Sequence, residues 1–323
     1  MTSLNTTPQY DEHHYAVVDL GSNSFHLLIT RLTGNHIETV NKVKRKVRLA
    51  AGLNNDNALS DEAINLGLDC LKLFATHLSS IPKKNIRIVA TATLRIATNS
   101  DAFLQAANSI LPLEINLLSG IKEANTIYSG VAHTCHGTVT QKRLVIDIGG
   151  ASTELIVGEK FTALHAISLN LGCVSFKARY FSDERLSTNN FNKAITAASK
   201  IITPVINQFT QHGWQTVVGS SGTMQALAEF LCYQGQSIII TTDFLQQVKE
   251  MLIDCKTIDN IHLAGIRADR LPVLASGLSI LIALFNCIGI KELTLSSGAL
   301  REGLLFEMLP QRKPAIIFAK HKS

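Results

Sequence analysis

The chain has 323 residues, more than one typical hydrophobic core holds, so two domains are expected. Hydrophobic residues make up 46% and charged residues 17%, which excludes an intrinsically disordered chain. The formal net charge of +5 suits an anionic partner without requiring one.

Taken in chain order, Met1 to His14 is polar and has no apolar signal core. Ala16, Val17, Val18 and Leu20 then form a short apolar run that suits a central strand. Asp19 sits at its end, Gly21-Ser22-Asn23-Ser24 is turn chemistry, and Phe25 to Thr30 reads as a second strand. Another strand is expected over Thr39 to Leu49. On it Lys42, Lys44, Lys46 and Arg48 would share one face, either a solvated strand face or a patch for a polyanion, with Arg45 pointing the other way. A helix over Ser60 to Leu78 has Ser60 as N-cap and Ala63 at the third helical position, with Leu66, Cys70, Leu73 and Phe74 as its apolar stripe. Ile86 to Ala90 is the next strand. Thr91-Ala92-Thr93 turns into a helix carrying Arg95, and Asn99-Ser100-Asp101 starts another. Leu113 to Leu118 reads as a strand, and Ser119-Gly120 opens a helix holding Glu123 in its first turn.

Thr134 to Lys142 is polar and turn-like, which places a domain boundary near Gly137: residues 1–136, then 137–323. His133, Cys135 and His136 lie close in sequence, but no fourth metal ligand is evident. The second half opens as the first does. Residues 143–159 (RLVIDIGGASTELIVGE) line up with residues 15–31 (YAVVDLGSNSFHLLITR), so Asp147 matches Asp19, Gly149 matches Gly21 and Ser152 matches Ser24. A long helix broken by Pro204 is expected over Ser187 to Phe209. Gln215 to Gly219 is a strand entering the turn Gly219-Ser220-Ser221-Gly222-Thr223, and Met224 to Leu231 and Asp243 to Ile253 are helices. Leu271 to Ile290 is strongly apolar, but Pro272, Gly277, Asn286 and Gly289 fit a buried helix better than a membrane span. Leu293 to Leu295 is a last strand, followed by Ser296-Ser297-Gly298, a helix near 299–309, and a basic tail expected to be mobile. Strands alternating with helices argue an α/β class. Six widely spaced Cys, none in a C-x-x-C pair, read as reduced thiols in the cytosol.

The repeated D-x-G-x-x-S turn carries the chemical argument. Glycine lets backbone N–H groups approach phosphate oxygens, and the serine hydroxyls add donors. An Asp at the strand end can hold a hydrated Mg²⁺, which binds through one or two carboxylates plus phosphate. One such turn is often only a tight turn. Two copies, with a third small-residue turn at Gly219 to Thr223 ahead of a helix, favour phosphate binding. Candidate phosphate-binding residues are therefore Asp19, Gly21, Ser22, Asn23, Ser24, Gly149, Gly150, Ser152, Gly219, Ser221, Gly222 and Thr223. The plain alternative at the third turn is a simple N-cap by Ser221 or Thr223. Glu123 could orient and deprotonate a water, or merely favour a helix N-terminus. Arg95 could reach a phosphate through its planar fork, or lie on a surface helix. No Walker loop and no G-x-S-x-G elbow is present.

The motifs VVDLGSNSFHLL, KVRLAAGL, ATATLR, SGIKEAN, VIDIGGASTEL, SLNLGCVSF, GSSGTMQALAE and SSGALREGLL occur in family order from about Tyr15 to Leu309. Together they resemble the exopolyphosphatase/guanosine pentaphosphate phosphatase (Ppx/GppA) family. The resemblance implies a two-domain actin-like, ribonuclease H-like fold with duplicated βββαβα-type domains and a central cleft, and Mg²⁺-dependent hydrolysis of a terminal phosphoanhydride. By likeness, Glu123 is the catalytic base, Asp147 and Glu154 are the Mg²⁺-associated carboxylates, and Arg95 contacts phosphate. KVRLAAGL, ATATLR and the Ala of GGAST look closest to the guanosine pentaphosphate phosphatase branch. That implies conversion of pppGpp to ppGpp in the cytoplasm, with polyphosphate as a second substrate. The alternatives are a polyphosphate-preferring exopolyphosphatase and a non-catalytic sensor of these anions. A homodimer is a possible assembly; neither DNA nor a membrane is an expected partner. Two departures stand out. Ile121-Lys122 and Asn125 surround Glu123 where many relatives carry an acidic pair and an Arg, and the C-terminal HD-type helical domain of long members has no counterpart here.

Overall fold

The computed structural model describes residues 10–135, 141–309 and 317–318. The chain divides into two compact units, 1–119 with 301–323, and 120–300. The division differs from the expected boundary near Gly137, itself outside the described residues. The helix carrying Glu123 packs on strands that follow it, and the last helix returns to the first unit.

In the first unit, β1 (His14–Leu20), β2 (Ser24–Thr33) and β3 (His36–Lys46) form an antiparallel meander. Helix α1 (Asp61–Leu78) leads to β4 (Ile86–Ala90), which runs parallel to β1. Short helices α2 (Ala92–Ile96) and α3 (Ser100–Asn108) then lead to β5 (Asn116–Leu117), parallel to β4 and shorter than the strand expected there.

The chain enters the second unit at α4 (Gly120–Thr134), and β6 (Lys142–Ile148), β7 (Thr153–Glu159) and β8 (Thr162–Leu169) repeat the meander. Next come α5 (Cys173–Tyr180), α6 (Thr188–Ile202), a single tight turn with Pro204, and α7 (Ile206–Thr210). Strand β9 (Thr216–Ser220) runs parallel to β6, as β4 does to β1. Helices α8 (Gly222–Tyr233), α9 (Thr242–Cys255) and α10 (Leu274–Ile288) and strands β10 (Ile239–Thr241) and β11 (Glu292–Leu295) complete it, with strand order β10-β11-β9-β6-β7-β8. Helix α11 (Leu300–Met308) and β12 (Ile317–Phe318) follow. The latter pairs in parallel with β3, so these two tail residues are ordered on the sheet edge and the order of the first sheet is β12-β3-β2-β1-β4-β5.

Strand chemistry explains the first core. Alternate residues Ala16, Val18 and Leu20 of β1, and Phe25, Leu27 and Ile29 of β2, face Leu71 and Phe74 of α1 and Phe103 of α3. Ser60 caps α1 by accepting from the Ala63 N–H at 3.3 Å, as expected. The buried stripe is rotated from the expected one. Leu66 is exposed, and Ala63, Gly67, Cys70, Leu71, Phe74 and Leu78 face inward, because Gly67 admits the Phe103 ring at a point where a Cβ would come within 2.8 Å of it. In the second unit α10 is a core helix, with 12 of its 15 residues buried, and packs on α5, α6 and α9. That burial explains its apolar composition. All six Cys are unpaired.

Candidate functional site

Three buried carboxylates lie within electrostatic reach of one another in the second unit. Asp147 lies near the end of β6 and faces Glu154 of β7 in register, so the two side chains share one face of the sheet. Neighbouring strands support them. Ser220, opposite Asp147 on β9, donates its hydroxyl to Asp147 Oδ2 at 2.6 Å. Ser168, opposite Glu154 on β8, donates to Glu154 Oε1 at 2.7 Å. Glu123, in the first turn of α4, is the third acid. Glu154 is only 1% exposed, and Glu123 and Asp147 are buried. Burial pushes the Glu154 carboxyl well above its usual range, and the charges of Glu123 and Asp147 push it further.

Helix α4 is held in place by Tyr128. Its ring lies against the Gly158 backbone on β7, and its hydroxyl donates to the Lys160 carbonyl at 3.2 Å. A Cβ at Gly158 would overlap the ring. Gly158→Ala is therefore expected to destabilise the protein by about 1–3 kcal/mol and to lower turnover, by displacing the helix that carries Glu123. Denaturant unfolding and turnover measured on the same sample check this. Unchanged stability would mean that the ring can move aside.

The turn after β6 is built for close backbone approach. Gly149 N–H donates to the Ser152 carbonyl at 2.8 Å, and a Cβ on Gly149 would come within 3.0 Å of that oxygen. The Gly150 carbonyl accepts from Val174 and Ser175 at the start of α5, at 2.9 and 3.2 Å. The Ser152 side chain is buried, and its hydroxyl favours the ionised form of Glu154 against the burial that raises it. At the head of α8, Ser221 has φ +96° and makes no side-chain cap, which removes the simple N-cap reading for it. A Cβ on Gly222 would meet nothing within 4 Å, so this backbone is open to an anion at the helix N-terminus. Gly219 lies near the end of β9 and Thr223 at the start of α8, and both also have packing roles. Gly219 makes room for Met224 and Leu293, and Thr223 packs on Gly277 of α10, so both serve the core.

The first unit repeats the turn. Asp19 faces His26 in register, and a Cβ on Gly21 would come within 2.9 Å of the Ser24 carbonyl, matching Gly149. Ser22 and Ser24 are buried, and the Ser24 hydroxyl has no hydrogen-bond partner among the described residues. The Ser22 and Asn23 carbonyls accept from Ala50 and Arg48 at 2.9 and 3.0 Å. Arg48 has φ +56° and follows the end of β3, so the basic strand face comprises Lys42, Lys44 and Lys46 without it. Arg95 Nη1 donates to the Leu118 carbonyl at 2.9 Å, which anchors the guanidinium beyond the end of β5. Of the His133-Cys135-His136 group, His136 lies outside the described residues, and His133 Nδ1 hydrogen-bonds the Ser129 carbonyl.

Sequence reasoning missed Ser168, Ser220, His26 and Arg301. Ser168 opens the motif SLNLGCVSF, but only the β7–β8 register brings it to Glu154. His26 was open to view, since the internal repeat aligns it with Glu154.

Among the described residues no three His, Cys, Asp or Glu side chains converge closely enough to cage an ion alone. The donor set nevertheless fits a hard cation. Asp147 and Glu154 offer carboxylate oxygens on one sheet face, and the buried negative charge there calls for compensation.

A duplicated strand–turn–strand meander, each copy with an acid at the strand end and a glycine turn, defines an α/β protein built from two related units. A model of the Ppx/GppA phosphatase family matches residues 28–312, and the chain belongs to that family. It is 49% identical over 306 residues to the guanosine-5'-triphosphate,3'-diphosphate pyrophosphatase of Vibrio atlanticus (strain LGP32), covering 95% of this chain and 61% of that protein. The enzyme of the same name from Pseudoalteromonas translucida (strain TAC 125) is 51% identical over 297 residues, covering 92% and 59%. The chain thus spans about three-fifths of the length of these curated relatives. Among solved structures, an exopolyphosphatase from Cytophaga hutchinsonii superposes with a TM-score of 0.82 at 22% identity, covering 91% of this chain and 97% of that one. The Aquifex aeolicus Ppx/GppA family member gives 0.73 at 20% identity, covering 93% and 99%.

Proposed function

We propose that this chain is a cytoplasmic phosphohydrolase that removes the terminal phosphate of pppGpp to give ppGpp, with inorganic polyphosphate as a second substrate. The observation that carries the reading is the trio of buried carboxylates, Glu123, Asp147 and Glu154, beside a glycine turn open to phosphate. Asp147 and Glu154 would hold Mg²⁺, whose chemistry is to neutralise charge on the transferring phosphoryl group. The identity of the relatives at about half of all positions supports the nucleotide as substrate.

The chain's own groups have separate tasks in this reading. Glu123 accepts the proton of the attacking water and orients it. Ser220 and Ser168 fix the Asp147 and Glu154 oxygens, so little reorganisation is needed during reaction. The Gly149–Gly150 backbone and the open head of α8 bind phosphate oxygens. The Gly21 turn of the first unit is a second cradle of the same chemistry.

The test is phosphate release from pppGpp and from long-chain polyphosphate, side by side, with and without Mg²⁺. Release from pppGpp that is faster and Mg²⁺-dependent is expected. Faster release from polyphosphate would make the chain an exopolyphosphatase, and binding without release would make it a sensor.

A further inference from the structure

The internal repeat places His26 where the second unit has Glu154: each faces an Asp across an antiparallel pair, Asp19 and Asp147 respectively. The substitution changes the local chemistry. Arg301, from α11, donates its Nη1 to His26 Nδ1 at 2.8 Å. A guanidinium cannot accept a hydrogen bond, so Nδ1 must be the bare nitrogen and the ring proton sits on Nε2. Burial, then the charges of Arg301, Lys44 and Lys42, hold the imidazole well below its usual range, so it is neutral at working pH. A carboxylate in this position would fix Arg301 and cancel its charge. A neutral imidazole fixes it and leaves the charge in place.

The same sheet face carries two lysines and one acid. Asp19, His26 and Lys44 are in register across β1, β2 and β3, so they share one face of the sheet, and Lys42 lies two residues further along it. The opposite face carries the core residues Val18, Leu20, Phe25 and Leu27. His26, to which Arg301 is hydrogen-bonded, lies two residues after Ser24 of the glycine turn. A half-buried guanidinium held at one Nη1 by a neutral acceptor still has N–H groups of its planar fork to offer a phosphate.

We propose that Arg301 is a phosphate-binding side chain of the first unit, and that His26 is its positioning residue. The proposal deepens the phosphohydrolase reading and rests on it for the identity of the substrate.

The experiment compares wild type with Arg301→Gln, His26→Leu, His26→Asn and the double variant Arg301→Gln/His26→Leu. Two quantities are read: direct calorimetric binding of inorganic tripolyphosphate, and KM and kcat for pppGpp. Arg301→Gln should weaken tripolyphosphate binding and raise KM by about tenfold or more, with kcat less affected. His26→Leu should do nearly as much. His26→Asn supplies an amide oxygen near the Nδ1 position and should restore most of the loss. The double variant should be no worse than Arg301→Gln alone, since both act through one guanidinium. Should Arg301→Gln fail to fold, Arg301→Lys keeps the charge without the fork and should still weaken binding. Unchanged tripolyphosphate affinity in a folded Arg301 variant would overturn the proposal, as would a His26→Leu variant that loses stability and kcat while KM stays put. A wild type that binds tripolyphosphate but releases no phosphate would sink the phosphohydrolase reading alone, because the binding comparison still decides the role of Arg301.

Discussion

Replacing Glu123 with Gln is expected to cut phosphate release by about 10²–10⁴-fold, the usual contribution of a positioned general base, while the protein stays folded and its KM for pppGpp changes little. The reasoning starts from placement. Glu123 is in the first turn of a 15-residue helix, and its side chain is buried rather than turned to water. Solvated glutamates at helix starts are common and need no special role. A buried one facing two more acids is costly and calls for a purpose. Gln keeps the shape and the hydrogen-bonding reach but cannot take a proton. The neighbouring departure from the family pattern bears little on this. Lys122 is exposed, whereas Glu123, Asp147 and Glu154 are buried. A second effect gives an internal check. Removing the Glu123 charge removes one of the two like charges that raise Glu154, so Glu123→Gln should be slightly more stable than wild type at neutral pH. A variant that is inactive and stabilised supports the base role. Near-normal turnover would remove Glu123 from it, and inactivity accompanied by unfolding would show that the residue is structural.

How much of this was legible in the sequence depends on the range of the interaction. The two D-x-G-x-x-S turns could be read because their requirement is local: a glycine whose Cβ would strike a carbonyl three residues on. Gly21 and Gly149 meet that requirement at 2.9 and 3.0 Å. Ser60 as a cap is likewise a three-residue matter. At the third turn the same small residues also serve packing. Gly219 and Thr223 are small to admit Met224 and Gly277, and composition cannot separate that need from a phosphate's. The stripe of α1 was misplaced by one row because Gly67, apparently a helix weakness, is where Phe103 docks. Ser168 and Ser220 were invisible as supports of the acids because their positions follow from strand register, which is set 14 and 73 residues away along the chain. The boundary fell at Ser119 rather than near Gly137 because α4 belongs to the sheet it packs on, not to the strands that precede it.

Glu154→Gln should produce two opposite effects, and their separation by Mg²⁺ is the sharper test of the acid cluster. In metal-free buffer the variant should be more stable than wild type at neutral pH. The folded-state carboxyl is raised above its unfolded value, so the ionised form costs stability in the native state. For a raised acid the favourable contribution is present below the unfolded glutamate pKa of about 4.3 and is lost as pH rises through the folded value. The advantage of Gln should thus be absent in acid, grow above about pH 4.3, and level off once the wild-type carboxyl has ionised. Each unit of separation between the two pKa values is worth about 1.4 kcal/mol. The Ser168 hydroxyl can donate to an amide oxygen as it does to Glu154 Oε1, so the substitution leaves no obvious unpaired group. Added Mg²⁺ should change the order. Wild type gains about 2.7 kcal/mol at a free ion concentration of 100 Kd, and the variant, lacking one of two carboxylate ligands, gains much less. Turnover at saturating Mg²⁺ should fall by about 100-fold or more in the variant, the loss expected when charge on the transferring group goes uncompensated. Thermal unfolding against pH, with and without Mg²⁺, reads all of this from one pair of proteins. Two superimposable pH–stability curves would mean that Glu154 is not the strained acid its surroundings imply. Equal Mg²⁺ stabilisation of the two proteins would move the cation site away from Glu154 altogether.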